Sequence, residues 1–373
     1  MNMRKTTLLV ALMSTISVNT CALRVNAQAP IAKNNGKLAP GYQVSGPYSC
    51  GNLSLFLVRG NDKLKDKKYL TLPEAIAQKQ IVVNETGNVN DLKIDNLSDA
   101  VVFIQSGEIV KGGRQDRALQ SDMLIPPHSK SISLPCFCVE AGRWSGRVGE
   151  SASQFNSASN FVVGNGIQKA IKTDADQSQV WAQVDVKQKQ LSRTLTKSVA
   201  SEASPTSLQL TLEQKSVKDA TNLQFKALSD VVNKEKDAVG YAVAINGQIS
   251  NADIYASGGL FKKLWPGLLK SAVIEAVAQR GQSAKKLPTG SEVKVILAGA
   301  EKFKPDPSAP YRSRSLALQG ATNGTIGPQG TDATYVTGVN TAGTVRTASP
   351  MNYFFKTTDS KSGVVIHENF LGK

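Results

Sequence analysis

The chain has 373 residues, of which 40% are hydrophobic and 20% charged, and its formal net charge at pH 7 is +15. This hydrophobic content is enough for a folded core and excludes a wholly disordered chain. The lysines and arginines are scattered rather than gathered in a basic stripe, and aromatic residues make up only 6%. The pattern argues against a nucleic-acid-binding protein and favours a solvated cationic surface.

The N-terminus has the pattern of a cleavable signal peptide. A short basic region precedes an apolar stretch from Leu8 to about Val18, which is shorter than the ~20 residues that span a bilayer. Val25 and Ala27 suit the −3 and −1 positions of a signal peptidase site. We therefore predict that residues 1–27 are removed by a cut after Ala27 and that the protein is periplasmic or secreted. We expect no membrane span in the remaining chain.

Three cysteines remain after such a cut, and an oxidising compartment favours pairing two of them. Cys136 and Cys138 lie two apart on a predicted strand, where parallel Cβ vectors disfavour a bond between them. We therefore predict a disulfide between Cys50 and Cys136. Cys138 is then a buried structural thiol, or alternatively a nucleophile if a base lies near it.

A β-rich module is predicted over residues 46–145, after a flexible leader over residues 28–45. Thr71 and Glu74 have the spacing of a capping box and predict a short helix through Gln80. Short runs of strand-forming residues, separated by turn residues, surround it: Asn52–Val58, Ile81–Val83, Asp91–Ile94, Ala100–Ile104, Met123–Ile125 and Ser131–Val139. This spacing is typical of a sandwich or an open barrel.

A mixed module is predicted over residues 146–298. It begins with a Ser- and Gly-rich loop over 145–165 and continues as helix over most of 166–237. Asn246-Gly247 predicts a hairpin, and Pro266 favours the first position of a new helix that Gly281 ends. Val293–Leu297 is predicted as a strand.

Two further segments complete the predicted organisation. Residues 299–350 are rich in Gly, Thr, Ala and Pro and are predicted to be loosely ordered, and a hairpin is predicted within 351–373. The predicted fold class is α+β, with an N-terminal β-rich sandwich or open barrel followed by a mixed helix and hairpin module.

Histidine-based chemistry is poorly supported. The chain has two histidines, His128 and His367, and neither has a Cys or His neighbour at metal-ligand spacing. We predict no metal site and no cofactor, and we predict that His128 lies on an exposed turn.

Two polar clusters remain as candidate sites. In the first, Gly112 and Gly113 permit an unusual backbone before a run of four polar side chains. Arginines at both ends of that run suit bidentate capture of a carboxylate or phosphate. The second cluster begins on a strand, where alternation places Cys138 and Glu140 on one face. The clusters comprise Arg114, Gln115, Asp116 and Arg117 in the first, and Cys138, Glu140, Arg143 and Trp144 in the second.

These clusters, about 25 residues apart and in this order, resemble the ARG and rhodanese-phosphatase-superfamily-associated protein domain, where ARG stands for ADP-ribosylglycohydrolase. Further matching stretches include Tyr69–Ala75, Gln179–Trp181 and Gly240–Asp253, so the resemblance covers roughly residues 45–285. The family has no assigned reaction, and its gene-neighbourhood association implies metabolism of ADP-ribose-like or other nucleotide-derived compounds. Cys136 falls where the family has an aliphatic residue, which supports a local role for it in the disulfide with Cys50.

Three functions are compatible with these observations. The favoured one is binding of a small anionic ligand, with Asp253 at the rim of the site. An alternative is a hydrolase that uses Glu140 or Asp116 as general base, or Cys138 as nucleophile. Another alternative is a structural or interaction protein of the cell envelope, in which the clusters hold two modules together. The predicted ligand-binding residues are Arg114, Gln115, Arg117, Glu140, Arg143 and Trp144.

Overall fold

The computed structural model describes residues 24–25, 42–298, 338–339, 351–359 and 362–372. These residues form an α+β fold, as predicted. The described residues include a closed barrel, a large antiparallel sheet and seven α-helices. Residues 28–41 of the predicted leader lie outside the described residues. So does most of the predicted 299–350 segment.

The β-rich part of the chain closes into a six-stranded barrel in the order β11-β6-β5-β12-β8-β9, with β9 pairing back to β11. Its interior is filled by aliphatic side chains such as Val83, Leu92 and Leu134. Closure gives every barrel strand two neighbours, so the strands present no open edge. The barrel strands are β5 (Ile81–Asn88), β6 (Asp91–Asn96), β8 (Glu108–Gly112), β9 (Arg117–Leu119), β11 (Ile132–Cys138) and β12 (Gln154–Val162).

Strand β12 corrects the predicted loop over 145–165. It pairs with β5 and β8 and therefore carries the barrel past residue 145. Its Ser- and Asn-rich composition conceals a few inward side chains, among them the buried Phe155 and Ala158. Burial of these side chains, rather than strand propensity, accounts for the strand.

An eight-stranded sheet joins the two ends of the chain, in the order β1-β2-β3-β13-β14-β17-β16-β15. The predicted hairpin at Asn246-Gly247 is confirmed, and both turn residues have positive φ, at 50° and 75°. The predicted C-terminal hairpin is also confirmed, as β16 and β17. The strands are β1 (Arg24–Val25), β2 (Gln43–Cys50), β3 (Leu53–Arg59), β13 (Ala238–Ile245), β14 (Gln248–Tyr255), β15 (Gly338–Val339), β16 (Met351–Thr358) and β17 (Val365–Gly372).

A small three-stranded sheet lies beside the barrel, with β7 between β10 and β4. Strand β4 (Tyr69–Thr71) runs parallel to β7 (Val101–Ile104), and β10 (Met123–Ile125) runs antiparallel to it. Strand β4 leads directly into α1 through the predicted capping box, which is confirmed. The Thr71 side chain accepts from the Glu74 backbone N–H, and the Glu74 carboxylate accepts from the Thr71 N–H at 2.9 Å.

The helices pack mainly around α6, which is buried along most of its length and contacts α3, α5, β12 and β13. Ser257 caps its start by accepting from the Leu260 N–H. The helices are α1 (Leu72–Ala77), α2 (Asn165–Lys169), α3 (Gln177–Leu195), α4 (Leu208–Glu213), α5 (Lys215–Leu228), α6 (Gly258–Ala278) and α7 (Gly290–Ala298). A π-helical turn (Ala170–Asp174) and a 3-10 turn (Ser229–Asn233) extend α2 and α5.

Two predictions about the helical part are wrong. Pro266 lies inside α6 instead of starting a new helix. Apolar side chains before and after Pro266 are buried, and their burial outweighs the loss of one backbone hydrogen bond. Residues 293–297 are helical, not a strand. Thr289 and Glu292 form a capping box that starts α7, with the Glu292 N–H donating to Thr289 Oγ1 at 3.2 Å.

The predicted Cys50–Cys136 disulfide is also wrong. Cys50 is disulfide-bonded, but Cys136 and Cys138 carry free, buried thiols. The physical reason is separation, since Cys50 packs in the core beneath the large sheet whereas Cys136 packs inside the barrel. Among the described residues, no helix is both long enough and apolar enough to cross a membrane.

Candidate functional site

The barrel brings the two sequence clusters together. Strands β9 and β11 pair so that Arg117 lies opposite Cys138, which places Asp116 and Glu140 beside each other at one end of the barrel. The loop before β9 needs its glycines, because Gly112 and Gly113 have φ of 122° and 54° and a side chain at 113 would overlap the ring of Phe155. The structure therefore brings the two sequence clusters together in space.

Asp116 is completely buried and each of its carboxylate oxygens accepts more than one hydrogen bond. Oδ1 accepts from Arg147 at 2.5 Å and from the Gly112 N–H at 3.1 Å. Oδ2 accepts from Arg147 at 2.9 Å and from the Ser207 hydroxyl at 2.8 Å. Since Ser207 is also the N-cap of α4, Asp116 links the barrel loop to the helical part of the chain.

Glu140 is equally buried and equally saturated. Arg143 donates to both of its oxygens at 2.7 Å, in the fork geometry of a bidentate pair. The Asp116 N–H donates to Oε2 at 3.0 Å, and Arg147 and the Ser204 hydroxyl also donate to this carboxylate. Burial alone would raise the pKa of Glu140, but the hydrogen bonds from Arg143, Ser204 and Asp116 hold it below its usual value.

These four residues, Asp116, Glu140, Arg143 and Arg147, form an arginine–carboxylate network. Arg143 also donates to the carbonyls of Gly112 and Gly113, so it fastens the loop after β11 to the loop before β9. The charged groups contact each other directly instead of surrounding a hollow. The network therefore holds three parts of the chain together, and neither carboxylate has an oxygen left without a hydrogen bond.

Arg147, Ser204 and Ser207 were not among the predicted site residues. Arg147 lies in the Ser- and Gly-rich stretch, whose composition indicates a loop without chemistry. The two serines lie about sixty residues further along the chain than Glu140. The one local signal was the N-cap pattern, because a serine before the apolar run of α4 suits an N-cap.

The two arginines of the first cluster lie beside Trp144. Arg114 is half-buried, and its guanidinium carbon lies 5.3 Å from the centre of the Trp144 ring. Trp144 is 44% exposed. Arg117, which is 0% exposed, lies 5.8 Å from the same ring. We call Arg114, Arg117 and Trp144 the tryptophan edge.

The tryptophan edge is weakly neutralised. The Glu85 carboxylate is 3.5 Å from the Arg117 guanidinium and also accepts from the Arg114 backbone N–H at 3.2 Å. Arg117 donates to the Gln115 carbonyl at 2.6 Å, but its buried Nε has no hydrogen-bond partner among the described residues. Arg117 therefore has one carboxylate at 3.5 Å, and the Arg114 guanidinium has no carboxylate partner among the described residues.

Cys138 is held mainly by its backbone, and its thiol donates to the Val89 carbonyl at 3.7 Å. Its N–H and carbonyl both pair with the Gln177 side-chain amide at 2.8 Å, which connects β11 to α3. Burial raises the pKa of the Cys138 thiol to about 11, although Arg117 acts to lower it. At neutral pH the thiol is protonated, which disfavours it as a nucleophile.

A second buried network was not predicted. His367 lies between two carboxylates, with Nδ1 2.7 Å from Asp122 and Nε2 3.0 Å from Asp253. Its ring stacks on Tyr255 at 4.4 Å, and Asn369 donates to Asp253 at 2.7 Å. Asp253 is thus a buried partner of this network and lies away from the tryptophan edge. His128, as predicted, is exposed and contacts Asp99 at 2.7 Å.

The imidazole of His367 is held in its charged form. Burial disfavours that form, but the charge and hydrogen bond of Asp122, with those of Asp253, raise the pKa of His367 to about 9. Within the described part of the chain, no group of three His, Cys, Asp or Glu side chains is arranged to hold a metal ion.

Comparison with known proteins gives one match. The family model of the ARG and Rhodanese-Phosphatase-superfamily-associated Protein domain matches residues 41–326. Neither a curated protein nor a solved structure matches the chain. The matched range includes both loops of the arginine–carboxylate network and the hairpin that carries Asp253. The chain therefore belongs to the ARG and Rhodanese-Phosphatase-superfamily-associated Protein domain family.

Proposed function

We propose that this protein is an exported, non-catalytic binding protein for a small anionic ligand, which it holds at the tryptophan edge. The observation that carries the proposal is the state of Arg114. Its guanidinium lies over an exposed indole and makes no side-chain hydrogen bond to a described residue. An arginine in this position has its donors available for phosphate or carboxylate, and the indole offers a face to a planar ring.

The local charge supports an anion and not a cation. The guanidinium carbons of Arg114 and Arg117 both lie within 6 Å of the centre of the Trp144 ring, and Glu85 pairs with the Arg117 guanidinium only. Glu85 neutralises Arg117, and a bound anion would neutralise Arg114. The family's association with ADP-ribose-like compounds suggests nucleotide-derived phosphates as the first compounds to test.

The contacts disfavour the hydrolase alternative. A general base needs an accessible carboxylate with a pKa near the working pH. Glu140 and Asp116 are completely buried and hydrogen-bonded on both oxygens, and the pKa of Glu140 is lowered. We therefore assign these carboxylates a structural role next to the binding surface.

Removing the Arg114 side chain is expected to weaken anion binding by at least about tenfold, the loss that about 1.4 kcal/mol would give. The probes are AMP, ADP-ribose and ribose 5-phosphate, and the readout is the rise in melting temperature that each one causes. The matched control is Arg193→Ala, which removes the same charge from an exposed position on α3. Equal shifts in Arg114→Ala and the control, or no shift with any probe in the wild-type protein, would count against the proposal.

Export makes a separate prediction about the mature N-terminus. Because Val25 and Ala27 fit the signal peptidase pocket, the exported protein is expected to begin at Gln28. Strand β1, which pairs Arg24 and Val25 with β2, would then be absent from the mature chain. The measurement is intact mass and N-terminal sequencing of protein recovered from the periplasm or medium. A full-length chain found in the cytoplasm would contradict export.

A further inference from the structure

A cavity of about 280 Å³ lies between α1, α6 and the barrel, away from the tryptophan edge. One part of its wall is apolar and is formed by Pro73, Ala77, Val162 and Leu264. The rest of the wall carries charged side chains, of which Glu108 is the most buried, at 5% exposure. We call this space the α1–α6 cavity.

Glu108 has an incomplete set of partners. Its Oε2 accepts from the Gln105 N–H at 2.8 Å, which closes the turn before β8. Its Oε1 makes no hydrogen bond to a described residue, and no cation contacts the carboxyl group within the described part of the chain. A carboxyl group that lines a cavity, with one oxygen free of protein partners among the described residues, is available to a ligand that donates hydrogen bonds.

The opposite wall does not supply that partner. Lys263 is the sole cation among the described residues that line the cavity. It contacts Glu74 at 3.1 Å and donates to the Tyr69 carbonyl at 2.8 Å. Lys263 is therefore already neutralised, and the carboxyl group of Glu108 remains as an unmatched negative charge whenever it ionises.

We propose that the α1–α6 cavity binds a small primary ammonium ligand with an apolar body, whose –NH₃⁺ group pairs with Glu108. The ammonium group neutralises the charge of the cavity lining, because the two carboxylates Glu74 and Glu108 then face two cations, Lys263 and the ligand. The hydrocarbon part lies against Pro73, Ala77 and Leu264. An anion would find Lys263 already paired, and a neutral molecule would leave Glu108 without a cation.

The proposal predicts a coupling between binding and protonation. Burial raises the pKa of Glu108 to about 8, the Gln105 N–H acts to lower it, and the nearby Asp122 raises it further. Glu74 and Lys263 face it across the cavity. The raised pKa favours the protonated carboxyl group in the ligand-free protein at neutral pH, so binding an ammonium ion is expected to release a proton.

The experiment uses n-butylammonium as the probe and calorimetric titration of the full chain in two buffers of different ionisation enthalpy. The expected result is proton release on binding and an affinity that rises at least about tenfold from pH 6 to pH 8, because Glu108 ionises over that range while the amine stays charged. The neutral isostere n-butanol and the anion butyrate are expected to bind at least tenfold more weakly at pH 8.

Two variants complete the test. Glu108→Gln keeps an acceptor for the Gln105 N–H but cannot ionise, so it is expected to lose the pH dependence and at least tenfold in affinity. Glu202→Gln makes the same change at an exposed position and should behave as the wild type. Butanol binding as tightly as butylammonium, affinity falling as the pH rises through 8, or no binding at all would overturn the proposal. These wild-type comparisons decide the matter even if Glu108→Gln fails to fold.

Discussion

Replacing Glu140 with alanine is expected to lower the free energy of unfolding by about 3–5 kcal/mol. The substitution removes a completely buried carboxylate that accepts from Arg143 and Arg147, so two nearly buried guanidinium groups lose a counter-charge. The Ser204 hydroxyl and the Asp116 N–H lose their acceptor at the same time. The measurement is urea unfolding followed by circular dichroism, provided that the transition remains two-state.

The matched control for this prediction is Glu150→Ala. Glu150 also pairs with Arg147, at 2.8 Å, but its side chain is partly exposed, so its removal should cost less than about 1 kcal/mol. Equal and small losses for the two variants would show that the arginine–carboxylate network contributes little to the fold. The structural role assigned to Glu140 would then be wrong.

His367→Gln is the second substitution with a large expected effect, a loss of about 3–5 kcal/mol at pH 6. The imidazolium donates to Asp122 and Asp253 at once, and both carboxylates are buried. Glutamine cannot supply the positive charge, so the two carboxylates lose a shared cation. His128→Gln changes an exposed histidine and should cost less than about 1 kcal/mol.

This prediction has a defined pH dependence. The pKa of His367 is raised in the folded protein to about 9, above the value of about 6.5 in the unfolded chain. Its contribution to stability is therefore complete below pH 6.5 and is lost as the pH rises to about 9, with a total of about 3 kcal/mol. The stability difference between wild type and His367→Gln should shrink over that range. The comparison cancels titration of the neighbouring Lys172, which both proteins retain.

Acid also weakens the same network, through Asp122. Burial alone would raise the pKa of Asp122, but His367, Lys172 and Thr357 hold it well below its usual value. Its stabilising contribution is therefore present above about pH 3.8, the unfolded value, and is lost as the pH falls further. Between the two limits the network should be most stable from mildly acidic to neutral pH.

Local patterns in the sequence predicted the features that depend on a few neighbouring residues. The capping box at Thr71 and the hairpin at Asn246-Gly247 are set by short-range hydrogen bonds and by backbone conformation, so they could be identified without tertiary information. The two polar clusters meet because β9 pairs with β11, which the sequence did not predict. The α+β class followed from the order of these patterns.

Features that depend on tertiary packing could not be predicted in this way. Pro266 lies within α6 because burial of the whole helix overrides the local preference of proline. Strand β12 is stabilised by pairing with β5 on one side and β8 on the other, which closes the barrel. Composition alone could indicate neither.

The candidate site shows the same division. The sequence indicated Asp116, Glu140 and Arg143 as candidate site residues, but it could not show that they neutralise each other. Arg147 and Ser207 come from distant segments and donate hydrogen bonds to the Asp116 carboxylate. The buried network around His367 joins residues more than a hundred positions apart, so no spacing pattern could reveal it.

We infer that Glu140 stabilises the fold while the neighbouring tryptophan edge binds the anion. Urea unfolding of Glu140→Gln, with and without a saturating anion that shifts the wild-type protein, tests it most directly. We expect Glu140→Gln to have a lower urea midpoint than the wild-type protein. We expect the anion to raise that midpoint by as much as it raises the wild-type midpoint, because the binding site is unchanged. If Glu140→Gln instead unfolds at the wild-type midpoint and the anion no longer raises that midpoint, Glu140 is a ligand-binding residue and its structural role is wrong.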